Sequence, residues 1–293
     1  MPEIRIQVTK PGLLTTVQDM GRYGCQSHGV PTGGAMDKTA MQAANWLAGN
    51  PLDNPVLEMT LLGPEMEING NGYIAFTGAD MSPKINGVEV PLYQTISIEN
   101  KAVLSFGRLR NGCRCYMAVS GQWQVKKWMG SCSAAPNNMD ALTPDSFIKK
   151  NSSLLIMTEK DVLKEQLTRN IEPPILNKKE VEVLPGPEFE LFPPLFIGHF
   201  FSSTFKISND SNRMGYRLKG DLRLKENRLE IISSPVLPGT IQIARSGQPV
   251  VLMSDAQTMG GYPRFAILLK REMDYMAQLK PGDEIRFVLS MNI

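Results

Sequence analysis

The sequence predicts a mainly β protein made of two duplicated barrel modules with a few short helices. Three observations carry this prediction. Runs such as IRIQVTK, EINGNGYIAF, VPLYQTISI, TIQIAR and DEIRFVLS alternate or stay apolar over strand lengths. Turn-forming stretches such as NGNG and SGQP separate them. The chain also repeats itself, and short, evenly spaced strands suit closed barrels because closure removes exposed edges.

The repeat is legible in several places. VLEMTLLGPEMEINGNGYIAFTGAD, ending at Asp80, resembles RLEIISSPVLPGTIQIARSGQPVVLMSDA around Asp255. Both copies open on Leu-Glu (Leu57-Glu58 and Leu229-Glu230), pass a glycine-containing turn, and run through an apolar strand to a small-residue turn with an aspartate. TISIENKAVLSFG near Phe106 parallels AQLKPGDEIRFV near Phe287, and DMGRYG from Asp19 has a partner in RMGYRLKG from Arg213. Duplication places the first module at residues 1–106 and the second at 181–293.

Residues 107–180 lie between them. GCRCYMAVS reads as a strand and MGSCSAAPNNMDALTPDS as a loop, with Pro136 and Pro144. DVLKEQLTRN, Asp161 to Asn170, has the spacing of a short helix, and Pro173-Pro174 break the chain. In the first module a helix is predicted from Asp37 to Leu47. Asp37 suits the N-cap, Ala40, Met41, Ala44, Leu47 and Ala48 form an apolar face, and Gly49 suits the C-terminal turn. KREMDYMAQL, ended by Pro281-Gly282, is its counterpart in the second module.

The bulk numbers narrow the function. The 293 residues, 42% hydrophobic and 20% charged, are those of a globular protein with room for two domains. A net charge of +2 gives no reason to expect nucleic acid or an anionic membrane. No signal-like or bilayer-length apolar segment stands out, so a cytoplasmic location is expected. Cys25, Cys113, Cys115 and Cys132 lack the paired Cys/His spacing of zinc sites, and no metal site is predicted.

The candidate chemistry gathers in two turns. VQDMGRYGCQSHGVPTGGAMD, Val17 to Asp37, mixes five glycines with Asp19, Arg22, His28 and Asp37. The Gly33-Gly34 turn before a helix N-terminus would offer free N–H groups to an anion, although Asp37 competes for them as a cap. Arg22 and Arg213 stand beside Met-Gly in the two copies, with Arg217 following, where guanidinium groups could hold a carboxylate or phosphate. In the second copy, SDAQTMGGYPR crowds Asp255, Gln257, Thr258, Tyr262 and Arg264 around Gly260-Gly261. G-x-S-x-G, HExxH and G-x-x-x-x-G-K-[ST] are all absent, so any catalysis would rest on carboxylates, arginines and backbone donors.

Together these motifs carry a family resemblance. TVQDMGRYG, GVPTGGAMD, AANWLAGNP, LEMTLLGP, AFTGAD, SNDSNRMGYRLKG, GTIQIARSGQPVVLMSDAQTMGGYPR and AQLKPGDEIRF resemble the AHS2 family across almost the whole chain. Its members are called allophanate hydrolase subunit 2, biotin-dependent carboxyltransferase family protein, KipI antagonist or the C subunit of 5-oxoprolinase. The resemblance implies cyclophilin-like β-barrels, a related partner (AHS1, or the B subunit) and, in the 5-oxoprolinase version, a LamB/YcsF-type A subunit. It implies ATP-dependent opening of 5-oxo-L-proline to L-glutamate by the complex, with ATP and Mg²⁺. The alternatives are a KipI-antagonist-type regulatory binding protein and a carboxyltransferase-like subunit of the urea carboxylase type. No Ala-Met-Lys-Met is present, so no covalent biotin is expected on this chain.

Under that resemblance Asp19 and Asp255 would manage metal or protons, while Arg22, Arg213 and Arg217 would bind anions. Gln257, Thr258, Tyr262, His28 and Asp37 would contact a small-molecule substrate. The chain departs from the family in its middle. Gln122 follows Gly121 where relatives read Gly-Gly, Gly130-Ser-Cys132-Ser-Ala134 replaces GSRST, and DSFIKKNSS replaces a GR…GD pattern.

Overall fold

A computed structural model describes residues 2–135, 140–158, 168–174, 178–222, 229 and 231–290. The chain divides into two compact units, Met1–Arg22 with Gly33–Leu176, and Tyr23–Thr32 with Asn177–Ile293. The helix expected at Asp161–Asn170 falls largely outside the described residues, as does Glu230 of the repeat.

In the first unit the strands are β1 (Glu3–Lys10), β2 (Leu14–Gln18), β3 (Val56–Thr60), β4 (Glu65–Asn69), β5 (Gly72–Asp80) and β6 (Pro83–Ile85). There follow β7 (Val88–Glu89), β8 (Ile96–Ile98), β9 (Lys101–Phe106), β10 (Asn111–Val119), β11 (Gln122–Trp123) and β12 (Ser153–Met157). They make a seven-stranded sheet, β11-β12-β1-β4-β9-β6-β7, and a five-stranded sheet, β2-β3-β10-β5-β8. The stretch after residue 106, set apart by the repeat, thus supplies the central strand of one sheet and an edge pair of the other.

The pleat explains why the five-stranded sheet reads as unbroken apolar sequence. Cys115, Met117 and Val119 of β10 join one core with Ile4, Ile6 and Val8 of β1 and Met66 and Ile68 of β4. The alternate residues Tyr116 and Ala118 face a second core with Ala40, Met41 and Ala44 of the helix α1 (Lys38–Leu47) and Ala48 at its C-terminal cap. Successive side chains of a strand point to opposite faces, so a sheet covered on both sides loses its polar alternation. Helix α1 forms as its spacing predicts: the Asp37 side chain accepts from Ala40 N at 2.8 Å, and Gly49 takes a left-handed φ of 78° just past the end.

The second unit contains β13 (Glu180–Pro185), β14 (Phe205–Ile207), β15 (Gly215–Lys219), β16 (Ser234–Pro235), β17 (Thr240–Ile243), β18 (Pro249–Leu252), β19 (Met259–Gly260), β20 (Arg264–Leu268) and β21 (Glu284–Leu289). Seven of them close into a barrel in the order β13-β20-β17-β18-β15-β14-β21, while β16 and β19 pair separately. The mainly β expectation holds, and the closed barrel lies in this unit. The first unit has the two sheets just described.

The barrel is sealed by a parallel pair, β13 with β21, whose register sets Val181 opposite Phe287. Two helices accompany it, α2 (Pro194–Ser202) and α3 (Lys270–Ala277). The second matches the predicted KREMDYMAQL segment. The first is absent from the sequence expectation, because PLFIGHFFS is apolar on every side and shows no period. Its Phe200 stacks on Phe287 at 5.1 Å and 13°, and meets Phe265 at 4.5 Å. Aromatic pairs of this kind add about 0.5–1.5 kcal/mol beyond their buried area.

Candidate functional site

The predicted site residues fall in both units. Asp19, Arg22 and Asp37 belong to the first, and His28, Arg213, Arg217, Asp255, Gln257, Thr258 and Tyr262 to the second.

In the first unit Asp19 follows directly on β2 and is buried. Its Oδ1 accepts from Ser131 Oγ and Ser133 Oγ, each at 2.6 Å, and from Gly21 N at 2.9 Å. Its Oδ2 accepts from Cys132 N at 2.8 Å and lies 3.4 Å from the Cys132 thiol. Burial pushes the carboxyl pKa up, but the two serine hydroxyls and the backbone N–H groups of Gly21 and Cys132 outweigh it and hold the group below its usual range. The Cys132 thiol is pushed up to about 12, first by burial and then by the Asp19 charge, so it stays protonated at neutral pH.

Arg22, also buried, lies over the Trp128 ring at 4.9 Å. Its guanidinium donates to the Trp128 carbonyl at 3.2 Å and to the Ser133 carbonyl. Asp19 and Arg22 therefore both fasten the 128–133 segment.

The Gly33–Asp37 turn is held from the other side. Glu58 Oε2 accepts from Met36 N at 2.8 Å and from Tyr116 Oη at 2.9 Å, and Tyr116 Oη in turn accepts from Asp37 N at 2.8 Å. Arg114 Nε sits 3.7 Å from Glu58 Oε1. Burial, then the Glu58 and Asp37 charges, push the Tyr116 phenol well above its ordinary value. The anion site expected at the start of α1 is thus filled from within, because the N–H groups of Met36, Asp37 and Ala40 already have internal acceptors. Gly34 is required here: its φ is 85°, and a Cβ would come within 2.8 Å of the Met20 backbone.

In the second unit Arg213 grips Asp255 with both arms, Nε to Oδ2 at 2.7 Å and Nη2 to Oδ1 at 2.9 Å, and both residues are buried. Asp255 N donates back to the Arg213 carbonyl at 2.9 Å, so the pair locks the turn after β18 to the loop before β15. Arg217 stands exposed on β15, between the inward-facing Tyr216 and Leu218. His28 is exposed, with its Nδ1 3.4 Å from Ser27 Oγ. Arg264 is held by Glu188 at 2.6 and 2.9 Å.

The open part of the predicted set lies around Tyr262. Gln242, buried in β17, donates from Nε2 to the Tyr262 carbonyl at 3.0 Å, and half-buried Gln257 reaches Gln242 Oε1 at 3.5 Å. The Thr258 carbonyl accepts from Val236 N at 3.0 Å. Beside them a cleft of about 390 Å³ is lined by Leu229, Ile231, Arg245, Gly261 and Tyr262. Tyr262 is 44% exposed, which leaves its ring free to meet a ligand.

Sequence reasoning did not select Ser131, Ser133, Glu58, Tyr116 or Gln242 as site residues. The repeat did mark Leu57-Glu58, and Glu58 sits opposite Tyr116 in the β3–β10 register, but that pairing is set by the fold.

A closed barrel in one unit and a two-sheet, helix-covered body in the other define a two-unit, mainly β protein. Residues 28–289 match the family model of the carboxyltransferase domain, subdomain A and B, and the chain belongs to that family. It is 34% identical over 284 residues to the 5-oxoprolinase C subunit of Escherichia coli K12, covering 97% of this chain and 90% of that one. The corresponding protein of Haemophilus influenzae is 28% identical over 272 residues, with 93% and 87% covered. Urea amidolyase of Saccharomyces cerevisiae is 30% identical over 303 residues, but this chain spans 16% of its length. Among solved structures, TTHA0988 superposes with a TM-score of 0.86 at 27% identity, and this chain spans 55% of that one. The Kluyveromyces lactis urea carboxylase gives 0.83 at 27%, with 99% of this chain and 28% of the other covered.

Proposed function

We propose that this chain is the C subunit of an ATP-dependent 5-oxoprolinase, working with its B and A subunits to convert 5-oxo-L-proline to L-glutamate. The B protein would be the one related to this chain. One observation carries the proposal. The relative from Escherichia coli, named for 5-oxoprolinase, aligns nearly end to end with this chain, at 97% and 90% coverage, whereas the urea amidolyase aligns over only a sixth of its length. A lactam carbonyl is a poor electrophile because of amide resonance, and phosphoryl transfer to its oxygen would make the ring carbon susceptible to water. Charge developing on that oxygen calls for preorganised donors in a shielded cleft.

The residues best placed for substrate in this chain are Tyr262, Gln257 and Thr258, next to a cleft lined by Arg245 and by the apolar Leu229 and Ile231. That lining suits a small ring with apolar methylenes and one carboxylate. Asp19, Arg22, Arg213 and Asp255 act in this proposal by holding turns: Asp19 binds the Ser131 and Ser133 hydroxyls and nearby backbone, Arg22 binds backbone carbonyls, and Arg213 binds Asp255. Among the described residues no group of three or more His, Cys, Asp or Glu is gathered to hold a metal. Mg²⁺ and ATP would enter with the assembled complex.

The test mixes the chain with the B and A subunits, ATP, Mg²⁺ and 5-oxoproline, and follows glutamate. Tyr262→Ala is expected to raise KM about tenfold with little change in complex assembly. Absence of glutamate above background from a verified, folded complex would reject the proposal. A second reading, a regulatory binding protein of the KipI-antagonist type, draws on Cys132 standing against Asp19 where the family pattern has arginine. That reading expects partner binding without turnover.

A further inference from the structure

The first unit carries a second cleft, of about 480 Å³, lined by Ser82, Lys84, Glu89, Gly107, Arg108, Leu109 and Arg110. It belongs to none of the site residues discussed so far. We propose that this cleft binds a small molecule through a phosphate group. The inference is independent of the proposed activity.

Three cations line the cleft against one carboxylate. Arg110 is committed: it grips Glu89 at 2.5 and 2.9 Å, and Asp80 Oδ2 lies 3.5 Å away. Lys84 and Arg108 form no salt bridge among the described residues, although the Lys84 charge acts on Glu89, and the cations of the lining outnumber its carboxylate three to one. A phosphate group carries about −1.5 to −2 at neutral pH with three acceptor oxygens, which suits a lining of three cations and one carboxylate better than a single carboxylate ligand would. The volume lies within the usual range of small-ligand pockets, about 300–1,000 Å³.

The backbone around these cations is built to stay put. Gly107 N donates to the carbonyls of Met81 and Ser82, at 3.0 and 2.9 Å. Arg110 N donates to the Asp80 carbonyl at 2.8 Å, and Ser82 Oγ donates to the Arg108 carbonyl at 2.9 Å. Ser82 itself takes a left-handed φ of 51°, and Ser82 N donates to Asp80 Oδ1 at 2.8 Å. Such conformations persist where surrounding bonds over-determine them, and they cluster at ligand clamps. Across the cleft, Lys84 and Glu89 are cross-strand partners in the β6–β7 hairpin, whose Asn86-Gly87 turn has both φ values positive, at 52° and 83°. Arg108 and Lys84 thus project from two pinned elements toward one space.

The experiment titrates the full chain with pyrophosphate, without divalent cations and at low ionic strength, by calorimetry. Lys84→Ala/Arg108→Ala is compared with Lys206→Ala/Lys219→Ala, which removes two cations from exposed, paired positions of the barrel. The expected result is binding by the wild type and by the barrel variant, weakened at least about tenfold in the cleft variant, with all three melting alike. No binding by the wild type overturns the proposal. So does equal weakening in both variants, which would mean diffuse attraction to net charge, or no weakening in either. Should the cleft variant melt lower, Lys84→Gln/Arg108→Gln repeats the comparison, and retained binding there overturns the proposal equally.

Discussion

Asp19 accepts bonds from two serine hydroxyls and two backbone N–H groups and touches a thiol, which leaves its carboxylate little capacity for a metal or a travelling proton. Its pKa lies lower in the folded protein than in the unfolded chain. The stabilisation it provides is therefore complete above the ordinary carboxylate range and disappears as pH falls through the depressed folded-state value. Asp19→Asn is expected to cost about 2–3 kcal/mol at neutral pH, from weakened charge-assisted bonds. Urea unfolding should show the gap from wild type narrowing in acid, and a gap independent of pH would contradict the assignment. The thiols give a second check. Cys113, Cys115 and Cys132 are buried and Cys25 is half-buried in the loop, so a thiol reagent should label Cys25 first and the other three only in denaturant. The oddity of an aspartate and an arginine among glycines was legible in the sequence. Their partners were not, because Ser131 and Ser133 lie 112 and 114 positions from Asp19 and only the fold brings them near.

At the scale of elements, α1 was legible because its apolar spacing, cap and terminal glycine agree. The strands on either side of it were harder to read, since burial on both faces removes the alternation that separates inside from outside. Helix α2 gave no signal at all, because Phe196 and Phe200 pack into the aromatic cluster while Leu195 is 70% exposed. The repeat pointed to Arg213 and Asp255, and the structure makes them one buried clamp between two turns. Arg213→Ala would leave Asp255 buried and uncompensated, at a cost of about 3–5 kcal/mol, so loss of activity in that variant would report on folding. In a double-mutant cycle with Asp255→Ala, the combined loss should fall well short of the sum of the two. Gly34→Ala should also lower the melting temperature by several degrees, since it places a methyl group against the Met20 backbone in a left-handed conformation.

At the scale of the whole molecule, matched strands and turns led to the expectation of two barrel modules, and the structure shows a closed barrel in the second unit and two sheets in the first. Strand pattern identifies which residues extend, but closure depends on which distant edges find each other, and nothing local encodes that. All seven strands of the barrel lie between Glu180 and Leu289, so a fragment of residues 177–293 is expected to fold alone and melt cooperatively. A fragment with no cooperative transition would instead make the Tyr23–Thr32 loop, which clusters with this unit, necessary for its integrity.

The parallel seam between β13 and β21 carries a consequence for biosynthesis. On the ribosome β13 emerges roughly a hundred residues before the strand that completes it, and long-range pairing is slow to form. During that interval the growing chain presents an open edge and an unshielded patch of phenylalanines to the cell. Nascent copies should therefore depend on a holding chaperone until Ile285 and Phe287 have been added, and a stop codon placed just before Glu284 should convert the product from folded protein into aggregate.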